Sequence, residues 1–241
     1  MKRYGFLVLA VTVALAALLL ASPATLTVSL ANFPCNFTSF WVYSEAGGLA
    51  ASGSVSGNGF SFEYDSSASY IAKAEGDKAV AVFTVPSGVA GTQYTVTPAD
   101  LAQANVTIVF IGPGYKPSVV AYTVAVPPYP NMTATSGKLL YASAPAVLKF
   151  PETLMFPAVY GYKLVSVKVD GTEVTQVTLD AAGMVYNVEV TYEAAGLAAV
   201  EPALLLAVVA VVIIVIAALA VMRRRGVQSA VVALRSPYLE G

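Results

Sequence analysis

Residues 160–192 read YGYKLVSVKVDGTEVTQVTLDAAGMVYNVEVTY. Val, Thr and Tyr dominate the stretch, and turn formers cut it at Asp170-Gly171 and at Asp180-Ala181-Ala182-Gly183. β-branched and aromatic residues suit a pleated, half-buried surface, and Asp and Gly supply the positive φ of a tight reversal. Asp-Gly between two such runs is the signal of a two-residue hairpin, so 163–169 is expected to meet 172–179, with 185–192 returning as a third strand. In that third segment Val188 and Val190 fall on one face, while Asn187, Glu189 and Thr191 fall on the other. This is the alternation of a strand buried on one side.

The same pattern extends upstream. Strands are expected over 25–30, 36–43, 60–64, 79–85, 93–97, 106–111 and 119–126, and again over 138–141 and 146–150. Gly57-Asn58-Gly59, Pro86-Ser87-Gly88 and Gly112-Pro113-Gly114 separate them. One helical turn is expected at Thr97, with Pro98 in the first helical position and Asp100 completing a capping-box pattern. Pro127-Pro128-Tyr129-Pro130 lacks the N–H donors of a ladder and is taken as a domain joint. The expected architecture is an all-β ectodomain of immunoglobulin-like β-sandwich type, with a sandwich domain over 25–128 and a smaller β domain or meander over 129–201.

The two ends are written for lipid. Met1-Lys2-Arg3 precedes an apolar run over 4–21 and then Ser22-Pro23-Ala24, the layout of a secretory signal peptide over 1–24. An uncleaved signal anchor is the other reading, and both leave the following chain outside the cell. A second run, 203–222, holds twenty uncharged residues, mostly Ala, Val, Leu and Ile. At 1.5 Å per residue it matches a bilayer core of about 30 Å. Pro202 opens it and Arg223-Arg224-Arg225 closes it, so a transmembrane helix with a cytoplasmic tail over 223–241 is expected. Lys2, Arg3, Arg223, Arg224 and Arg225 are the topology determinants. Ala203, Ala207 and Ala210 present small residues along this helix to a second one, a route to a homo-oligomer. In the tail, 226–234 has the character of a short amphipathic helix at the membrane surface.

Charge is sorted accordingly. Between Thr25 and Glu201 there are seven lysines, no arginine and thirteen acids, a net charge of −6. All five arginines lie outside that stretch. An acidic exterior with no basic face excludes a nucleic-acid partner, because counterion release needs clustered Lys and Arg. The partners expected are the lipid bilayer and other envelope or membrane proteins.

The layout of an export signal, β modules, a C-terminal anchor and few cysteines resembles archaeal single-pass cell-surface proteins with immunoglobulin-like domains. The resemblance lies in layout over the whole chain and carries no functional residue across. Asn36-Phe37-Thr38, Asn105-Val106-Thr107 and Asn131-Met132-Thr133 are sequons in the exterior part, where an oligosaccharide could be attached, although a β-rich ectodomain also holds one or two by chance. Cys35 is the single cysteine and closes no disulfide within the chain, which fits a prokaryotic source. It is expected to be a buried free thiol, with an intermolecular bridge as the other reading.

Chemistry is constrained by composition. These 241 residues contain no histidine, which removes Ser-His-Asp, Cys-His and His-ligated metal sites. Glu63 with Asp65, and Glu75 with Asp77, are close acidic pairs that could share a face; solvated edge charges are preferred to an oxygen-ligand cation site. No catalytic residue, cofactor or metal is expected. The even spacings of Tyr160 with Tyr162 and of Tyr186 with Tyr192 place them on shared faces, more often core edge than ligand platform, and Trp41 is assigned to the core. Tyr115, Tyr122 and Tyr129, around the Gly-Pro-Gly and Pro-rich loops, are the expected contact surface. The functional expectation is a non-enzymatic, membrane-anchored surface protein, structural or adhesive. An accessory subunit of a membrane transport or secretion complex is the alternative, and a histidine-free surface hydrolase the second.

Overall fold

The computed structural model describes the backbone of 24–155, 160–196 and 202–233, with side chains for the same residues except 160, 202–203, 205, 221 and 223–233. The export signal expected over 1–24 lies outside the described residues apart from Ala24, as does 234–241 of the tail.

Among the described residues before Pro202, regular structure is almost entirely strand. It runs β1 (Ala24–Leu30), β2 (Ser39–Ser44), β3 (Leu49–Ser54), β4 (Gly59–Tyr64), β5 (Tyr70–Glu75), β6 (Ala79–Val85), β7 (Gln93–Val96), β8 (Ala102–Ile111) and β9 (Ala121–Ala125). It continues through β10 (Met132–Thr135), β11 (Leu139–Ala142), β12 (Ala146–Lys149), β13 (Thr153–Met155), β14 (Tyr160–Val169), β15 (Thr172–Glu173), β16 (Val177–Leu179) and β17 (Val185–Gly196). A helix, α1 (Pro202–Ala233), follows. Contacts divide the chain into two units: unit 1 holds Met1–Val109, Pro117–Glu152 and Leu164–Tyr192, and unit 2 holds Phe110–Lys116, Thr153–Lys163 and Glu193–Gly241.

Unit 1 is built as sheets packed face to face. A large sheet in the order β14-β17-β8-β11-β6-β5-β2-β3 is accompanied by a three-stranded sheet, β4-β1-β7, and a four-stranded sheet, β10-β9-β12-β16. Strict alternation makes the three-stranded sheet one-sided: Leu26, Val28 and Leu30 of β1 and Phe60, Phe62 and Tyr64 of β4 are buried, with the intervening residues on the outer face. They pack in one cluster with Phe40, Val42, Ala72, Ala74, Ala81, Phe83 and Val85 of the large sheet. Phe40 and Phe60 stack across the two sheets at 4.2 Å between ring centroids and 12° between planes. β6 reads AVAVFTV because it is central: Val80 and Val82, on the face opposite Ala81 and Phe83, are equally buried, so both faces of the large sheet are covered there.

The stretch 127–130 connects β9 to β10, which pair antiparallel from Val124↔Met132 to Ala121↔Thr135 within unit 1. Strands after it do not keep to a sheet of their own, since β11 lies between β6, its parallel partner, and β8, its antiparallel one. The hairpin at Asp170-Gly171 forms with φ of 50° and 84° at the two turn residues, but it is short: only Lys168↔Glu173 and Val169↔Thr172 pair. The single strand expected over 172–179 is a correction. After Glu173 the chain leaves β14, and β16 pairs instead with β12 through Ala146↔Leu179 and Leu148↔Val177. At Thr97 the expected turn is a 3-10 helix, Pro98–Asp100, whose Asp100 carboxylate accepts from the Thr97 N–H at 2.8 Å and from its hydroxyl at 2.7 Å.

α1 continues through Arg223-Arg224-Arg225 to Ala233. Its described side chains over 206–220 are all apolar and all exposed. That described run covers about 22 Å of helix, and among the described residues no helix is long and apolar enough to cross a membrane.

Candidate functional site

The three sequon asparagines lie on the surface of unit 1. Asn36 and Asn131 are exposed in the loops before β2 and β10. Asn105 is exposed within β8, where it pairs with Leu139 of β11. Asn105 and Thr107 line a shallow cavity of about 300 Å³ with Lys168, Gly171, Asn187, Val188 and Glu189. Lys168 and Glu189 stand 3.8 Å apart there, both well exposed, so the pair adds little to stability. Asp170 accepts hydrogen bonds from the backbone and side-chain nitrogens of Asn187, which ties the hairpin turn to β17.

The three tyrosines expected to form the contact surface differ in exposure. Tyr115, in unit 2, is 62% exposed, and Tyr129 is half-buried in unit 1. Tyr122 is 2% exposed and lies with its ring 5.1 Å from that of Phe150. It is a core residue because β9 has its even positions, Tyr122 and Val124, turned inward. Among the described residues its hydroxyl has no hydrogen-bond partner, and burial pushes the phenol far above its ordinary pKa. A buried, unpaired hydroxyl is a liability. Tyr122→Phe is therefore expected to raise stability by about 1 kcal/mol, read as an upward shift of the thermal midpoint.

Other aromatics are structural. Tyr192 donates to the carbonyl of Pro151 at 2.8 Å, and burial pushes its pKa up to about 12. Tyr186 shares that core face and accepts from the N–H groups of Asp180 and Ala181, which holds the turn before β17. Trp41 is not a core residue: it sits half-buried on the outer face of β2, opposite Lys73 of β5, whose ammonium lies 5.1 Å from the ring centroid. Cys35 is likewise only half-buried, packed beside Phe33 at the edge of the core, and burial raises its pKa.

Of the acidic pairs, Glu75 is committed to cations from the chain itself. Its carboxylate oxygens stand 2.7 Å from Lys73 and 2.7 Å from Lys138, which joins β5 to the turn before β11. Burial opposes its ionisation, but the hydrogen bonds from Lys138 and Lys73 outweigh that and hold the carboxyl below its ordinary value. Asp65 is exposed and accepts from the backbone N–H and hydroxyl of Ser67, an Asx-type turn. Removing the Glu75 charge leaves two partly covered lysines unpaired, so Glu75→Gln is expected to cost about 2 kcal/mol at neutral pH. Because the folded-state pKa is depressed, this stability is present above the unfolded value and lost as pH falls through the folded one. The gap between wild type and variant in urea midpoints should therefore close in acid.

Unit 2 is assembled around Tyr162. This buried residue meets Phe110 edge to face at 4.9 Å, and its hydroxyl donates to the carbonyl of Pro113 at 3.3 Å. β13 pairs with β14 through Thr153↔Lys163, Leu154↔Tyr162 and Met155↔Gly161. Tyr160, expected to share a face with Tyr162, has no described side chain.

No protein-family model matches this chain, and no curated protein matches it. Among solved structures it is similar to two single-residue variants of the shaft pilin SpaA from Lactobacillus rhamnosus GG. One is 9% identical over 73% of this chain and 99% of that chain, with a TM-score of 0.23. The other is 7% identical over 72% and 98%, also at 0.23. It is similar as well to the pilus adhesin SpaC of the same organism in its open conformation, at 10% identity over 70% of this chain and 31% of that chain, with a TM-score of 0.22. At those identities and TM-scores, no inference about this chain rests on the likeness.

Proposed function

We propose that this chain is a non-enzymatic cell-surface protein, anchored by α1 with its β units outside and its C-terminus in the cytoplasm, and that it works through protein contacts in an envelope layer or adhesive structure. The observation that carries the reading is α1 itself. A helix whose described side chains are uniformly apolar and exposed has no place in water, and the sequence extends that character over the whole of 203–222 before the arginine triplet. The β units supply a rigid scaffold, and their polar outer faces suit an exterior setting. Asn36, Asn105 and Asn131 are the glycan attachment sites in this reading. Asn36 and Asn131, in loops, suit modification of the folded chain, whereas Asn105 sits within a paired strand.

The test is cross-linking of intact cells followed by mass spectrometry of what co-purifies. Envelope or filament subunits linked through exposed lysines of unit 1, such as Lys78 or Lys149, are expected. A polytopic membrane protein linked near Glu201 or Arg223 would instead make this chain an accessory subunit of that complex.

A further inference from the structure

Exposed large apolar side chains are sparse in unit 1, where Leu49, Val119, Val165, Met184 and Val185 are spread over separate segments. In unit 2 most of them lie on α1, and the rest fall at two chain reversals. Ile111 and Tyr115 are 51% and 62% exposed in Phe110–Lys116, and Met155 is 58% exposed in Thr153–Lys163. Single exposed apolar residues need no explanation, but a local concentration marks a contact surface.

The geometry ties these reversals to the exit of the chain toward α1. A Cβ built on Gly112 would come within 2.8 Å of the Ala194 side chain, so the first reversal lies directly beside the end of β17. A Cβ on Gly161 would meet the Met155 sulfur at 2.8 Å and the Ala195 carbonyl oxygen at 3.8 Å, so the second lies beside the same end. Tyr162 clamps the two together through Phe110 and Pro113. β17 ends at Gly196 and α1 begins at Pro202, a gap that even a fully extended chain cannot stretch beyond about 20 Å.

Charge distinguishes the surface further. The two segments carry Lys116 and Lys163, both exposed, and no acid, although 25–201 as a whole has a net charge of −6. The nearest acids along the chain are Asp100, Glu152 and Asp170, and Glu193, exposed, immediately precedes Ala194 at the end of β17. Apolar tips with a tyrosine and outlying lysines match the boundary between acyl chains and head groups. There an aromatic ring is favoured, and an ammonium on a long apolar stem reaches the phosphates.

We propose that the tips around Ile111, Tyr115 and Met155 form a second membrane-contact surface, which rests on the lipid head-group boundary beside α1 and fixes the tilt of unit 2 against the bilayer. This rests on the anchor reading above and adds to it a contact made by β reversals. The test uses the full chain in the Cys35→Ser background, reconstituted in phosphatidylcholine–phosphatidylglycerol vesicles. An environment-sensitive fluorophore is attached in separate variants at Tyr115→Cys, Met155→Cys, Leu206→Cys and Ser52→Cys. All these positions are exposed, and circular dichroism of each labelled variant checks that it is folded.

Blue-shifted emission at 115 and 155, quenched several-fold more by a shallow lipid-borne nitroxide than emission at 52, is the expected result. If position 206 is immersed while 115 and 155 behave like 52, the proposal is overturned and the anchor stands. A blue shift at the tips without lipid quenching would mean protein covers them, and also overturns it. Aqueous emission at 206 as well would remove the anchor reading on which the proposal depends.

Discussion

Ending the chain after Gly196 is expected to move the protein from the membrane pellet to the soluble fraction, with the β units still folded. Every described strand lies at or before Gly196, so the truncation takes no partner from any sheet. What it removes is the segment 203–222. Each central Leu, Ile or Val contributes about 0.3–0.6 kcal/mol of insertion free energy, and residues of these types make up most of the run. The sum is several kcal/mol, enough to make membrane association close to all-or-none. Fractionation at alkaline pH separates an inserted chain from one held by surface charge. Recovery of the truncated chain in the extracted pellet would place the anchor elsewhere, most simply at 4–21. A circular dichroism spectrum that loses its helical contribution and keeps its β-sheet contribution would confirm that the β units stay folded.

The second large effect belongs to the join between sheets. Phe60 on β4 and Phe40 on β2 stack across the sandwich, and Phe60 also neighbours Phe62 at 6.5 Å in a chain of rings that continues to Tyr64 and Tyr70. At 5% exposure Phe60 has no water to relax into, so Phe60→Ala is expected to cost about 3–5 kcal/mol through lost transfer free energy and the cavity left behind. For a chain of this size that lowers the thermal midpoint by roughly 10 °C. Phe40→Ala should cost a similar amount. The double variant should lose clearly less than the sum, because the second truncation removes a ring already without its partner. Full additivity in denaturant melts would show that the two rings act independently and that the stack adds nothing.

Much of this architecture is legible in the residues. β1, β4 and the outer part of β17 announce themselves by alternation, because each has one face in the core and one in solvent. β6 announces itself by the opposite sign, an unbroken apolar run, because it is central and covered on both faces. The strands that escape notice fail for specific reasons. β5, YIAKAE, carries Ala, Lys and Glu, residues that favour helix, and tertiary pairing with β2 and β6 overrides them. β3, LAASGS, has no β-branched residue at all and persists as an edge paired to β2. β10 and β13 are too short to show a period.

Site residues follow the same logic. The sequons are surface features and the structure leaves them there. Tyr115 is exposed as its Gly-Pro-Gly setting suggests, whereas proximity to a Pro-rich loop gives no sign of which way Tyr122 points. Whether a strand residue faces core or solvent depends on register, and β9 begins at Ala121, two residues later than its composition suggests. The Glu75 hub is invisible in the chain because Lys138 lies 63 positions away. The apolar reversals of unit 2 do carry a signal, since both lack acids in an acidic exterior, but only their position beside the end of β17 gives that signal a meaning.

Topology is the decisive observable. In the Cys35→Ser background, a cysteine placed at Ser52 on exposed β3 and another at Ser229 beyond the arginine triplet can be challenged with a membrane-impermeant maleimide on intact cells. Labelling at 52 before permeabilisation and at 229 only after it is the result expected of a β ectodomain held outside by one C-terminal span. Labelling of both sites in intact cells, or of neither, would contradict it.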